Sequence, residues 1–172
     1  MATILPEAER TTRPKPISAD RFERVVAWGA VALTALVAVA LVRGAGHWGA
    51  LPAIVWAHMA TVLVALVLTP ALLLRRRGDR RHRTLGWWWA ASMVATALAS
   101  LWVQVINPGH FSFIHAFSVF VLVMVPVLIW AARTHRVARH RRAVRGLVTG
   151  ALLAAGYFTL LPERVLGQWL WG

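Results

Sequence analysis

Long apolar runs, separated by clusters of arginine, constrain the fold of this chain more than any other feature. A helix needs about 20 residues to cross the hydrocarbon core of a bilayer, and most of the runs are close to that length. In lipid every backbone polar group must find a partner within the chain, so we expect each run to be helical. The sequence therefore predicts an all-α, polytopic transmembrane bundle of five helices, at residues 25–42, 51–74, 85–106, 111–132 and 146–161. Residues 1–24 are predicted to form a polar cytoplasmic tail, and residues 25–172 a single transmembrane domain.

The composition supports this class and argues against others. Hydrophobic residues make up 59% of the chain, and Asp and Glu together number only 6, which is outside the range of soluble domains. There is no cysteine, so thiolate metal sites and disulfides are excluded. The net charge of +13 lies between apolar runs, which argues against a nucleic-acid partner. The predicted partner is the lipid bilayer, and a membrane redox partner or a second copy of the chain are further candidates.

The distribution of Lys and Arg predicts the orientation. The tail carries five of these residues, and the segments 75–83 and 133–145 carry six each, whereas the opposite side has only Arg43 and Arg164. Cytoplasmic loops are enriched in Lys and Arg. We therefore expect a multi-pass protein of a bacterial inner membrane, with the N-terminus cytoplasmic and the C-terminus periplasmic or external.

An internal repeat brings rare residues into matching positions. The matches between the two halves are His58 with His115, Thr61 with Ser118, Pro70 with Pro126, and His82 with His140. The offsets are 56 to 58 residues, so the second and third predicted helices correspond to the fourth and fifth. Repeats that run in the same direction are related by an axis along the membrane normal. This predicts a four-helix core of two related hairpins, with one extra N-terminal helix.

The repeat places the four histidines in two pairs, one near each membrane surface. His58 and His115 form the predicted outer pair, and His82 and His140 the predicted inner pair. Two imidazoles that face each other inside a helical bundle can ligate a haem iron from both sides. The first functional hypothesis is therefore a b-type haem protein that transfers electrons, with these four residues as cofactor-binding residues and His58 and His115 as ligands of the iron.

Other interpretations of the same residues stay open. A hydrogen bond to Thr61, Ser118 or a backbone carbonyl would satisfy an imidazole in the outer pair. The inner pair lies among arginines, where contact with lipid phosphate is an alternative. His47, His110 and His135 have no match in the repeat and are interpreted as ordinary loop residues. Ten tryptophans at helix ends are interpreted as membrane anchors, among them Trp87, Trp88 and Trp89.

The third predicted helix carries a stripe of hydroxyl and amide side chains at intervals of four: Ser92, Thr96, Ser100 and Gln104. Such a stripe is typical of close helix packing, and lining of a polar cavity is the alternative. Two further functional hypotheses rest on it: a non-catalytic packing or assembly module, and a small-molecule or quinone-binding membrane protein.

No catalytic residue is predicted, because no acidic residue lies inside a predicted span and no hydrolase or phosphate-loop motif is present. Whether the protein is an enzyme stays open.

Several short motifs together resemble a known family. They are Arg81-His82-Arg83 with Gly86-Trp87, Ile114-His115 with Ser118, His140-Arg141 with Arg145-Gly146, and Phe158 with Pro162 and Arg164. The combination, over about residues 55–165, resembles the bacterial membrane proteins of domain-of-unknown-function family 2306. That resemblance implies a small inner-membrane protein with the four paired histidines at motif positions, and it implies no activity. Glu163 departs from the family pattern, in which glycine often precedes the terminal arginine. The paired-histidine layout is also similar, at the level of the fold, to the cytochrome b561 group.

Overall fold

The computed structural model describes residues 18–103 and 115–172, and every regular element within these ranges is helical. The helices are α1 (Arg21–Arg43), α2 (Ala53–Leu74), α3 (Arg80–Trp102), α4 (His115–Arg133), α5 (Val137–Gly146), α6 (Ala155–Thr159) and α7 (Val165–Trp171). A 3₁₀ segment, Ala45–Ala50, lies between α1 and α2, and a π-helical segment, Leu147–Ala154, joins α5 to α6. The all-helical class is confirmed. Among the described residues, three helices are long and apolar enough to cross a membrane, namely α1, α2 and α4.

Polar caps set where α1 and α3 begin. The Asp20 side chain accepts a hydrogen bond from the backbone N–H of Glu23 at 2.9 Å, and the Glu23 carboxylate accepts one from the backbone N–H of Asp20 at 3.2 Å. This reciprocal pair is a capping box. The Asp79 side chain caps α3 by accepting from the N–H of His82 at 2.6 Å. Both helices therefore begin about one turn before the predicted helices. The difference arises because the sequence prediction follows apolar residues, whereas the caps are polar.

The last part of the bundle differs most from the sequence prediction. The sequence predicts a basic loop at residues 133–145, but residues 137–145 belong to α5, which continues through the π-helical segment into α6. His135, at a φ of 56°, lies in the turn that separates α4 from α5. The short helix α7 is not among the predicted helices, and it packs on α1, where Arg43 donates a hydrogen bond to the Leu170 carbonyl at 2.7 Å.

The helices pack in chain order, and the last ones return to the first. Consecutive helices α1 to α5 contact one another, and the π-helical segment packs against α1, α2 and α4. The most buried large apolar side chains are Leu66, Met93, Val125, Leu147 and Val148. Large apolar side chains are also exposed all round the outside, as expected of a surface that faces lipid.

Two features of the predicted core can be placed on this bundle. Pro70 and Pro126 lie inside α2 and α4, as the repeat requires. The arrangement as two related hairpins, and the number of crossings, stay predictions. The predicted turn at residues 107–110, with His110, lies outside the described residues, as does Gln104.

The bundle has two ends that differ in charge. The arginine-rich end contains the first turns of α1, α3 and α5 and the last turns of α2 and α4. The other end is the opposite end.

Candidate functional site

A cavity of about 80 Å³ lies at the arginine-rich end, and both predicted inner histidines line it. His82 comes from the first turn of α3 and His140 from the first turn of α5. The apolar part of the wall includes Leu72, Leu73, Trp89, Leu128, Val144 and Val148. The structure thus brings together two residues 58 positions apart that the internal repeat matches. Their role as ligands stays a prediction.

The His140 ring is held by the backbone of α4. Its Nδ1 lies 3.2 Å from the carbonyl oxygen of Leu128. Since a carbonyl oxygen only accepts, we assign the proton to Nδ1, and the lone pair is then on Nε2. Histidines that bind a metal usually have one ring N–H held by a carbonyl or carboxylate in this way. The hydrogen bond to Leu128 therefore fixes one side of the His140 ring.

The His82 ring has a nitrogen with no protein partner. Its Nδ1 is buried and makes no hydrogen bond within the part of the chain that the structure describes. His82 precedes the apolar run of α3, and burial, followed by electrostatic interaction with nearby His140, lowers the pKa of its imidazole. A lowered pKa favours the neutral ring, which is the form that can ligate a metal.

A buried carboxylate, Glu23, joins α1 to α5 and to the loop between α2 and α3 beside this cavity. Glu23 is only 1% exposed, and its side chain accepts hydrogen bonds from Arg77 of that loop and from Arg141 and Arg145 of α5. The two bonds from Arg141 measure 2.6 and 2.9 Å. A buried carboxylate without a partner is costly, since removing one partner of a buried ion pair destabilises a protein by roughly 3–5 kcal/mol. The three guanidinium groups therefore allow Glu23 to be buried.

Glu23 is the residue of this end that sequence reasoning misses. The sequence assigns it to the polar tail, because residues 1–24 precede the first apolar run. Its three arginine partners are 54, 118 and 122 positions away, so no local pattern reveals them. The one local signal is the spacing Asp20-x-x-Glu23, which is typical of a capping box and predicts an earlier start of α1.

At the opposite end, His58 already has a hydrogen-bond partner. Its Nδ1 lies 3.1 Å from the carbonyl oxygen of Thr96 on α3. The backbone-carbonyl interpretation of this residue therefore holds in the structure, although its Nε2 still bears a lone pair. His115 is 6% exposed at the first residue of α4. The pairing of His58 with His115 stays a prediction.

The hydroxyl stripe of α3 links neighbouring helices. Thr96 donates to Thr61 of α2 at 2.8 Å, and the hydroxyls of Ser100 and Ser118 of α4 are 2.7 Å apart. Ser92 instead donates to backbone carbonyls of its own helix. These hydroxyls are used for packing within the bundle, which favours the packing interpretation of the stripe over the lining of a ligand cavity.

One predicted membrane anchor is wrong. Trp89 is 3% exposed, and its indole N–H donates to the hydroxyl of Thr69 at 2.9 Å, so it belongs to the cavity wall. Its neighbours Trp87 and Trp88 are exposed, at 56% and 65%, as anchors should be. A helix turns about 100° per residue, so three consecutive tryptophans cannot all face lipid.

Two histidines without a match in the repeat lie in connecting segments, as predicted. His47 lies in the 3₁₀ segment, and His135 lies in a turn.

A family model described as "Predicted membrane protein (DUF2306)" matches residues 55–169. The matched segment runs from the first turn of α2 into α7 and includes all four paired histidines, whereas α1 and Glu23 lie before it. No curated protein and no solved structure matches the chain. The cavity residues His82, His140, Arg77 and Arg141 therefore belong to the part of the chain that the family shares.

Proposed function

This chain belongs to the DUF2306 family of predicted membrane proteins, and from that premise we propose that it binds haem b at the arginine-rich end and transfers electrons. The observation that carries the proposal is the lining of one cavity by two imidazoles, His82 and His140, from different helices. Two histidines are too few for a bare four-coordinate metal site, but two axial ligands are what a haem iron accepts.

His82 and His140 would hold the haem iron. The Nδ1 proton of His140 is bound to the Leu128 carbonyl, so the Nε2 lone pair is available. His82 supplies a second ring whose Nδ1 is unpartnered among the described residues. When bound, haem supplies a one-electron iron couple whose potential depends on its axial ligands and its burial. The apolar wall of the cavity would keep water away from that couple.

The arginines beside the cavity fit the two carboxylates that haem carries. Arg77 and Arg141 line the same cavity as the histidines. Each guanidinium has five N–H donors, and Glu23 takes only one from Arg77 and two from Arg141. The remaining donors can bind further carboxylates, for which the planar guanidinium has a matching geometry.

Binding requires the cavity to widen. Its volume of about 80 Å³ is below the ~300 Å³ at which ligand pockets usually begin. The side chains that would move first are apolar and carry no hydrogen bond, namely Leu72, Leu73 and Leu128. The π-helical segment contributes Val148 to the wall, and such segments often occur at functional sites. We expect α5 and the π-helical segment to shift outward when haem binds.

The test is an absorption spectrum of the full-length protein, purified in detergent from cells supplied with haem. The wild-type protein is expected to show a Soret band and the sharp bands of a reduced bis-histidine haem. His82→Ala and His140→Ala should each lose most of this absorbance, while His47→Ala, in the 3₁₀ segment, should keep it. Helix content by circular dichroism shows whether each variant is folded.

Three results would contradict the proposal. They are a wild-type protein without a Soret band, a band unchanged in both inner-pair variants, and a band lost equally in His47→Ala. The predicted outer pair is tested in the same experiment. His58→Ala or His115→Ala should remove about half of the absorbance if a second haem is bound there, and none if the inner site is alone.

A further inference from the structure

Helix α5 carries arginines on two faces, and only one of these faces is neutralised. Arg141 and Arg145 point toward α1, where they pair with Glu23 and Asp20. Arg139 and Arg142 are exposed, and no carboxylate of the described residues pairs with either. Residues three apart on a helix share a face, so these two guanidinium groups form one unneutralised basic patch.

This patch closes one end of a groove between α4 and α5. The groove has a volume of about 480 Å³ and is lined by Met124, Val127, Arg139, Arg142 and Ala143. Met124 and Val127 lie roughly two turns inside α4 from its arginine-rich end, so the groove changes from apolar to basic along the bundle axis.

An exposed indole stands at the boundary between these two parts. Trp130 follows Val127 by three residues on α4 and is 42% exposed. The guanidinium carbons of Arg136 and Arg139 lie 4.6 and 4.9 Å from the centre of its ring. Tryptophan at this height is typical of the headgroup region of a membrane, with apolar side chains on one side and cationic ones on the other.

We propose that this groove binds an anionic phospholipid from the leaflet at the arginine-rich end. The phosphate lies between Arg139 and Arg142, because forked guanidinium donors match phosphate oxygens. One acyl chain lies along Met124 and Val127. Basic pockets between membrane helices are a known type of site for anionic headgroups.

Charge favours a lipid over a second copy of this chain. A twofold contact through the groove would bring the same two arginines of each copy together, and like charges repel. An anionic headgroup instead supplies the negative charge that these arginines lack within the described residues. The residues that line the lipid groove are all different from those that line the cavity of His82 and His140, so the lipid site can be tested without haem.

The site is tested by native mass spectrometry of the full-length protein in detergent. The probes are phosphatidylglycerol and phosphatidylcholine with identical acyl chains. The wild-type protein is expected to retain phosphatidylglycerol in preference to phosphatidylcholine. Arg139→Gln with Arg142→Gln should weaken retention of phosphatidylglycerol by about thirtyfold, which is about fivefold for each of two arginines near the membrane surface. Millimolar inorganic phosphate should not displace the lipid, because phosphate alone lacks the acyl contact.

The matched control is Arg80→Gln with Arg81→Gln, which removes two exposed arginines at the same end but outside the groove. It should retain phosphatidylglycerol as the wild type does. Equal losses in the two double variants would overturn the proposal, as would equal retention of the two lipids or displacement by phosphate. Arg139→Lys with Arg142→Lys keeps the charge, and it should hold more phosphatidylglycerol than the glutamine variant. If it holds no more while its helix content is unchanged, the proposal also fails.

Discussion

The two ends of the bundle satisfy their polar groups in different ways. At the opposite end, neutral groups pair with one another, as in the His58–Thr96 and Ser100–Ser118 hydrogen bonds. At the arginine-rich end, a buried carboxylate is surrounded by guanidinium groups that have more donors than Glu23 can use. The hydroxyls of Ser100 and Ser118 and the Nδ1 of His58 join helices at the opposite end, whereas the arginine-rich end keeps unused guanidinium donors beside a cavity.

This difference indicates where chemistry should be sought. Polar groups satisfied by neighbouring helices mainly fix the packing, and in membrane helices each such bond contributes modestly to stability. A buried charge network holds far more electrostatic energy, and its surplus donors can accept an anionic ligand. We therefore expect the stability of the arginine-rich end to depend on its charged side chains. We expect the stability of the opposite end to depend on how closely its side chains pack.

The largest expected effect is the loss of Glu23. Glu23→Ala leaves Arg77, Arg141 and Arg145 without their shared partner, and we expect the free energy of unfolding to fall by roughly 3–5 kcal/mol. Unfolding in mixed micelles, followed by circular dichroism, measures this. The matched control is Glu163→Gln at the opposite end, whose side chain is exposed and which should change stability by less than about 0.5 kcal/mol. Similar effects in both variants would remove the distinction between the two ends.

Glu23 also shows how far the sequence predicts this molecule. The apolar runs predict α1, α2 and α4 because length and hydropathy are local properties. The pairing of His82 with His140 can be predicted because histidines are rare and the repeat matches them. Burial of Glu23 depends on arginines from α5 and from the loop between α2 and α3, and such long-range partners leave no local trace. Helix α5 is missed for a related reason. A cluster of arginines predicts a loop, and the sequence does not show that carboxylates at the start of α1 neutralise some of these arginines.

The second largest expected effect comes from close packing of side chains at the opposite end. Gly44 lies where α7 packs on α1, and a Cβ added there would overlap the ring of Trp169. We expect Gly44→Ala to lower the free energy of unfolding by about 1–3 kcal/mol, because the indole must shift. Gly46→Ala is the control, since a Cβ added at that position meets nothing within 4 Å among the described residues. Equal stability of the two variants would show that α7 is not held on α1 by this contact.

The smallest effect concerns a single neutral pair. A double-mutant cycle of Ser100→Ala and Ser118→Ala should give a coupling energy of about 0.6 kcal/mol, the average for hydrogen bonds between membrane helices. The same cycle on Arg141→Gln and Glu23→Gln should give a larger value, because both partners are charged and Glu23 is buried. A serine coupling as large as the Arg141–Glu23 coupling would mean that neutral hydrogen bonds hold the opposite end as strongly as charges hold the other. The polar groups would then not distinguish a packing end from a binding end, and the case for a ligand site would rest on the cavity alone.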